Sequence, residues 1–404
     1  MAYGAFAFGS LYGSSNCDTL PYAISYRLYA IGHMKLVVFG LTISSSWGNG
    51  HATLWRALCK ALAARGHRII FFERDVPYYA LNRDLWEIPG GKLILYAEWD
   101  DVHSEACSEL ADADVGMVTS YCPDGLAASD AVLSSGSLRV FYDLDTPVTL
   151  EALERGRALA YIGPLGLREF DLVLSFTGGN ALEMLRKRLG ARRVEPLYGS
   201  VDPSVHRRVS AVPHYQADLS YIGTYAEDRQ DTLDSLFLEP ARRMRERRFV
   251  IAGAQYPATF PWSENIFFVR HIAPPDHPAL YSSSRLTLNA TRRAMARMGY
   301  CPSGRLFEAA ACGTPIVSDW WAGLDEFFEP GREIVVAREG ADVIQTLQLR
   351  DDELERIGRQ ARARALEEHS AERRAQQLED LLGSNTRDQR ADVGCQLNGE
   401  RRLF

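Results

Sequence analysis

The chain has 404 residues, 46% hydrophobic and 24% charged, a composition of folded globular proteins that excludes disordered, collagen-like and coiled-coil classes. At roughly 150 residues per domain the length predicts two to three domains. With 45 basic against 52 acidic side chains the formal charge is −7, which offers no general counter-charge to polyphosphate, so nucleic acid is not an expected partner.

Residues 1–33 are rich in Tyr, Ala, Gly and Ser but lack a basic region ahead of an unbroken apolar run, so they read as a poorly ordered extension and not as a secretory signal. Met34–Gly40 is a clean first strand. The polar loop Leu41–His51 follows, then Leu54, Leu58 and Leu62 at helical spacing, ending at Arg65-Gly66. Arg68–Glu73 is too short and too apolar for an exposed helix and reads as a buried strand, completing a βαβ unit. Further buried strands are expected at Leu93–Tyr96, Val115–Thr119, Leu138–Tyr142, Asp171–Phe176 and Arg193–Leu197.

Around Tyr198–Pro203 the pattern pauses in turn residues, and Val209–Gln216 stays irregular, as expected where a chain passes between domains. A second alternating series begins there, with strands at Asp218–Gly223, Arg248–Gly253, Ile266–Val269, Leu286–Asn289, Pro315–Ser318 and Glu333–Val336 and helices that include Gln230–Arg247 and Ser303–Cys312. Asp351–Leu382 reads as one or two amphipathic helices, and 384–404 as a disordered tail. The expected fold is therefore α/β, with two Rossmann-like domains, 34–198 and 199–383, facing each other across a ligand-binding cleft. No window reaches the ~18 apolar residues of a membrane span. The seven cysteines show no C-x-x-C pair, so neither a disulfide framework nor a zinc site is expected, and a reducing cytoplasm is the expected location.

The loop after the first strand contains Gly48, Gly50 and His51, small residues that let backbone approach a ligand and a histidine where the helix begins. The third position of a dinucleotide G-x-G-x-x-G fingerprint would be Thr53, and no Walker lysine is present, which argues against dehydrogenase and P-loop chemistry. Asp143 and Asp145 directly follow a predicted strand, where parallel sheets present carboxylates to their ligand crevice, and Asp145 is the better candidate because Pro147 forces an extended turn beside it. Arg292 and Arg293 stand at another strand end, placed for phosphate or acceptor. No His or acid cluster has metal-ligand spacing, so no metal is expected.

The segment Arg305-Leu306-Phe307-Glu308-Ala309-Ala310-Ala311-Cys312-Gly313-Thr314-Pro315-Ile316-Val317-Ser318 resembles the donor-binding segment of group 1 glycosyltransferases of the GT-B fold. Together with Leu288-Asn289 and the stretch 324–333, it is most similar to the CgeB spore-maturation glycosyltransferase-like family, the likeness extending over residues 220–374. The resemblance implies a metal-independent hexosyltransferase without a cofactor, its nucleotide-diphosphate sugar held by the second domain and its acceptor, a glycan, protein or small molecule, by the first, with a final helix that crosses back towards the first domain. Glu308 then accepts hydrogen bonds from the ribose, and Ser303, Gly304 and Arg305 at the helix start, with Gly223 and Arg229, meet the donor. Retaining members carry a Glu-x7-Glu pair; Glu308 matches the second, and Tyr300 stands where the first would be. If the enzyme inverts, His51 or Asp145 is the candidate base. Two other readings share the scaffold: a nucleotide-sugar epimerase, and a non-catalytic nucleotide-sugar or glycan-binding protein.

Overall fold

The computed structural model describes residues 32–383. The expected extension, apart from Gly32 and His33, and the expected tail at 384–404 lie outside the described residues. The first sheet is built from β1 (Lys35–Gly40), β2 (Arg68–Arg74), β3 (Gly91–Tyr96), β4 (Val115–Thr119), β5 (Leu138–Asp143), β6 (Leu172–Ser175) and β7 (Val194–Pro196), in the order β3-β2-β1-β4-β5-β6-β7. The second contains β8 (Ala217–Ile222), β9 (Phe249–Gly253), β10 (Ile266–Arg270), β11 (Ser284–Asn289), β12 (Ile316–Ser318) and β13 (Val335–Val336), in the order β10-β9-β8-β11-β12-β13. Every pairing in both sheets is parallel. Each sheet is wound outward from its first strand in both directions, so the strand order reverses between β1 and β4 and again between β8 and β11. In such sheets the crevice for a ligand opens beyond the carboxyl ends of those strands.

The continuous apolar strands follow from burial on both faces. Along β1 and β2, Leu36, Val38, Ile69 and Phe71 pack with Leu54, Leu58 and Leu62 of the helix Gly50–Ala64. Their neighbours Val37, Phe39, Ile70 and Phe72 pack on the opposite face with Val102, Ala106 and Leu110 of the helix Trp99–Ala111. This alternation is the two-residue period of a strand. In the second sheet Val250 and Ala252 meet Leu306, Ala309 and Ala310, while Leu219, Tyr221 and Ile251 meet Phe237 on the other side.

The expected helix over 230–247 is interrupted. Gln230–Leu233 is α-helical, Asp234–Leu238 widens into a π turn, and Glu239–Arg243 resumes the α-helix. Pro240 is the physical reason: it has no N–H to return to the preceding turn, and its ring crowds the carbonyl four residues back. The C-terminal stretch is two helices, Asp351–Glu368 and 371–383. The first packs Ala361 and Ala365 into the second sheet's core, whereas the second places Ala371, Ala375, Leu378 and Leu382 in the core under β1. Between them the chain bridges to Val201, whose N–H donates to the His369 carbonyl at 3.0 Å and whose carbonyl accepts from Ala371 N at 2.8 Å. Both connections between the sheets therefore meet at one point, where the buried Arg374 also donates to the carbonyls of Tyr198 and Gly199. Among the described residues no helix is long and apolar enough to cross a membrane.

Candidate functional site

A cavity of about 630 Å³ opens where the carboxyl ends of the two sheets face each other. On the first side, β1 runs into a loop in which Gly48 adopts φ +61°, a conformation that costs a side-chain-bearing residue energy. Asn49 then caps the next helix, its side chain accepting from His51 N at 2.9 Å. Gly50 opens that helix and His51 follows, so cap and turn together aim the imidazole at the cleft. His51 Nε2 donates to Asp145 Oδ2 at 2.9 Å. Asp145 itself follows β5 and precedes the helix Thr146–Glu154, with Pro147 fixing the first turn.

A carboxylate only accepts, so the shared proton belongs to His51 Nε2 and the neutral ring keeps its lone pair on Nδ1. Nδ1 is buried and has no hydrogen-bond partner among the described residues. Tyr121, held at φ +63° after β4, places its ring edge-on to His51 at 6.0 Å. Beneath them Asp143 is fully buried and accepts from Thr149 Oγ1 and from Asp145 N. Burial pushes the Asp143 carboxyl up to about 6, helped by the Asp145 charge and opposed by the Thr149 hydrogen bond.

On the second side, β8 leads into Gly223 and then to the short turn Glu227–Arg229. A Cβ on Gly223 would lie 2.6 Å from the Tyr221 hydroxyl and 3.1 Å from Arg305 Nη2, so any larger residue would push the Tyr221 hydroxyl aside and crowd Arg305 at this edge. Arg305 donates to the Ala290 carbonyl at 3.0 Å, and its guanidinium lies over the Tyr221 ring. Arg229 donates to the Thr224 carbonyl, while its Nε is buried without a partner. Burial, together with the charges of Arg305 and Arg292, works against the Arg229 cation. Arg292 lines the same cavity but is held by Asp228 at 3.0 Å; Arg293 turns outward to Asp231 and is not among the lining residues. Ser303 precedes the helix Gly304–Ala311 without a side-chain bond to its first amides, and both Ser303 and Gly304 line the cavity. The outcome is a wall of the cavity that gathers Arg229, Arg292, Arg305 and the helix start at Ser303 and Gly304, with Arg292 already paired to Asp228.

Glu308 sits on that helix and is 7% exposed, which rules out a solvated helix position. Its Oε2 lies 3.0 Å from His277 Nδ1 and 3.9 Å from His206 Nε2. Burial alone would raise its proton affinity, but the neighbouring His206, His277 and Arg305 overcome that and hold the carboxyl down at about 2. His206 and His277 were not distinguishable in the sequence, where no metal-ligand spacing or local motif marks them; the fold brings them to Glu308 from separate elements. Tyr300 is placed differently from a ligand-binding carboxylate. Its ring packs over Gly179 and Gly323, and its carbonyl accepts from Gly178 N at 2.9 Å, so it joins the two halves and does not line the cavity.

Residues 229–380 match a family model described as glycosyl transferase-like. No curated protein matches the chain. Among solved structures the chain is similar to sucrose-phosphate synthase from Thermosynechococcus elongatus, with a TM-score of 0.64 at 14% identity, covering 87% of this chain and 99% of that one. It is also similar to Anabaena HepE in complex with UDP and glucose, with a TM-score of 0.62 at 12% identity over 87% and 100% of the two chains. An alpha-glucosyltransferase in complex with UDP-glucose and DNA containing an abasic site gives 0.63 at 12% identity, again over 87% and 100%. The α/β fold with its two facing parallel sheets is thus the GT-B arrangement of two Rossmann-like domains.

Proposed function

We propose that this protein is a glycosyltransferase of the CgeB-like kind that moves a hexose from a nucleoside-diphosphate sugar to an acceptor. One observation carries the reading: a buried Glu308 shares one cavity with Arg229 and Arg305, neither of which forms an ion pair within 4 Å among the described residues, and with the His51–Asp145 pair. The glycosyl transferase-like match over 229–380 supports it, and so do UDP and UDP-glucose in the complexes of similar structures.

In this reading 199–383 holds the donor and 34–198 the acceptor. Glu308 Oε1, the oxygen not engaged by His277, accepts from the ribose hydroxyls. Arg229, Arg305 and the amides at Ser303 and Gly304 take the diphosphate, with Gly223 giving them room and Arg292 at the rim. Their charge replaces a metal at the leaving group, and no cofactor enters the reaction. The acceptor hydroxyl gives its proton to the His51–Asp145 pair while its oxygen forms the new bond to the anomeric carbon; the bond from that carbon to the diphosphate breaks, and the nucleoside diphosphate leaves. Asp145 orients the ring and stabilises the imidazolium. Gly48 and Gly50 keep the loop thin enough for the acceptor to approach. The acceptor is a glycan, protein or small molecule rather than nucleic acid, in keeping with the net charge of −7, and the reaction is cytoplasmic.

Thermal-shift screening of nucleotide-sugars against the full chain, followed by assay of nucleoside diphosphate release with and without candidate acceptors, tests the reading. Stabilisation by a nucleotide-sugar and acceptor-dependent release are expected. Binding without release under any acceptor favours a non-catalytic binding protein, and conversion of the sugar without release favours an epimerase.

A further inference from the structure

His206, His277 and Glu308 reach one another from the segment between the sheets, from the start of the helix His277–Ser283 and from the helix Gly304–Ala311. One nitrogen or oxygen from each lies within 4.8 Å of the other two. His277 Nε2 is 3.1 Å from the Ile272 carbonyl. A carbonyl only accepts, so Nε2 carries a proton, and Nδ1 faces Glu308 Oε2, another acceptor, at 3.0 Å, a contact that needs either a second proton on the ring or a metal ion between the two atoms. Two acceptors at that distance call for a positive charge. His206 adds a second observation: it is 2% exposed, and neither of its ring nitrogens has a hydrogen-bond partner among the described residues.

A single cation answers both deficits. Two imidazoles and a carboxylate are the ligand set of Zn²⁺ and of the related divalent transition ions, and a ligating histidine ordinarily fixes its other nitrogen on a carbonyl, as His277 does on Ile272. Bonds of about 2.0–2.2 Å put tetrahedral ligand atoms about 3.3–3.5 Å apart, so the 3.0 Å His277–Glu308 contact has to open by about 0.4 Å and the 3.9 Å His206–Glu308 contact to close by about 0.5 Å. We propose that His206, His277 and Glu308 bind one divalent transition-metal ion, Zn²⁺ in class, with its remaining position towards the cavity that His277 and Glu308 line. The ion engages Glu308 through Oε2 and leaves Oε1 free. It holds a side chain in place and does not touch the diphosphate, so it is compatible with metal-free departure of the leaving group.

The test uses the full chain, stripped with chelator and titrated with Zn²⁺ by calorimetry and with Co²⁺ by visible absorption, both without nucleotide. One ion per chain is expected, with a Co²⁺ spectrum of nitrogen and oxygen coordination and no thiolate charge-transfer band. His206→Ala and Glu308→Gln should each weaken Zn²⁺ by about tenfold or more. A control, His103→Ala, should have no effect; it removes the exposed His103, whose Nε2 is 3.4 Å from Cys107 Sγ. Absence of stoichiometric binding, a thiolate band, or unchanged affinity in both site variants would overturn the proposal. If a variant does not fold, the Co²⁺ spectrum of the unmodified chain still decides. UDP titration of the stripped chain is read separately: UDP binding without any metal binding leaves the donor reading standing and removes the ion, and the converse removes the donor reading alone.

Discussion

Glu308→Gln separates charge from shape at the centre of the donor side. In the folded protein the carboxyl is held at about 2, whereas an unperturbed glutamate lies at about 4.3. A depressed carboxylate contributes stability that is present above the unfolded value and lost as pH falls through the folded one, a window here of about 4 down to about 2. The difference corresponds to about 3 kcal/mol at neutral pH, and the amide cannot supply it, so the variant should unfold at lower denaturant by up to that amount. Nucleotide binding should change for a different reason. The free oxygen of Glu308 would accept charge-assisted hydrogen bonds from a ribose diol, and losing that charge costs roughly 1.5–3 kcal/mol, or about 10- to 150-fold in the dissociation constant. Calorimetric titration of UDP and other nucleoside diphosphates into both proteins, with denaturant unfolding alongside, reads the two effects independently. A variant that loses stability but binds nucleotide within about twofold of the parent would refute the role of Glu308 in donor recognition while leaving its ionisation intact.

His51→Ala should lower turnover by about 10²–10⁴-fold while donor affinity stays near the parent value, since the imidazole belongs to the acceptor side; unchanged turnover would dismiss it as the base. Asp145→Asn should reduce turnover in the same direction, because the amide cannot stabilise the imidazolium, and steady-state kinetics on both variants and their combination should show less than additive losses. Asp143 has the opposite linkage sign to Glu308: its carboxyl sits at about 6, above the unfolded value near 3.9, so its contribution to stability falls as pH rises from about 4 to about 6 and stays low above. Asp143→Asn should remove that drop and raise stability at neutral pH by up to about 3 kcal/mol; an unaltered pH slope in denaturant unfolding would refute the assignment. Leu378→Ala, in the C-terminal helix that packs under β1, should cost about 2–5 kcal/mol, measured by chemical denaturation, although residue 378 lies far along the chain from every strand of that core.

The two parallel sheets were legible because strands buried on both faces leave uninterrupted apolar runs, and the turn residues around Tyr198–Pro203 marked the passage between them. The Gly48–His51 loop, Asp145 and the Ser303–Glu308 segment were visible for a related reason: each sits at a strand end or helix start whose position follows from local periodicity and punctuation. Local signals could not place side chains from different elements against one another. Whether Asp143 or Asp145 faces the cleft depended on the turn into the following helix, which buries the first and pairs the second with His51. Arg292 and Arg293 looked equivalent in sequence, yet one lines the cavity and the other pairs outward with Asp231. The His206–His277–Glu308 cluster left no trace because its members are separated by long stretches of chain and meet only when the inter-sheet segment folds back onto the second domain. Periodicity alone marked an apolar face on helix 371–383 but not the surface that covers it; its crossing to the first domain was expected from the family resemblance, and its packing in the first core bears that out. Sequence by itself determined the elements and their order along the chain, because these depend on hydrogen bonding and burial within a few residues. Which charges and imidazoles share a cavity was decided by tertiary structure alone, since electrostatic and hydrogen-bond partners are set by distance in space.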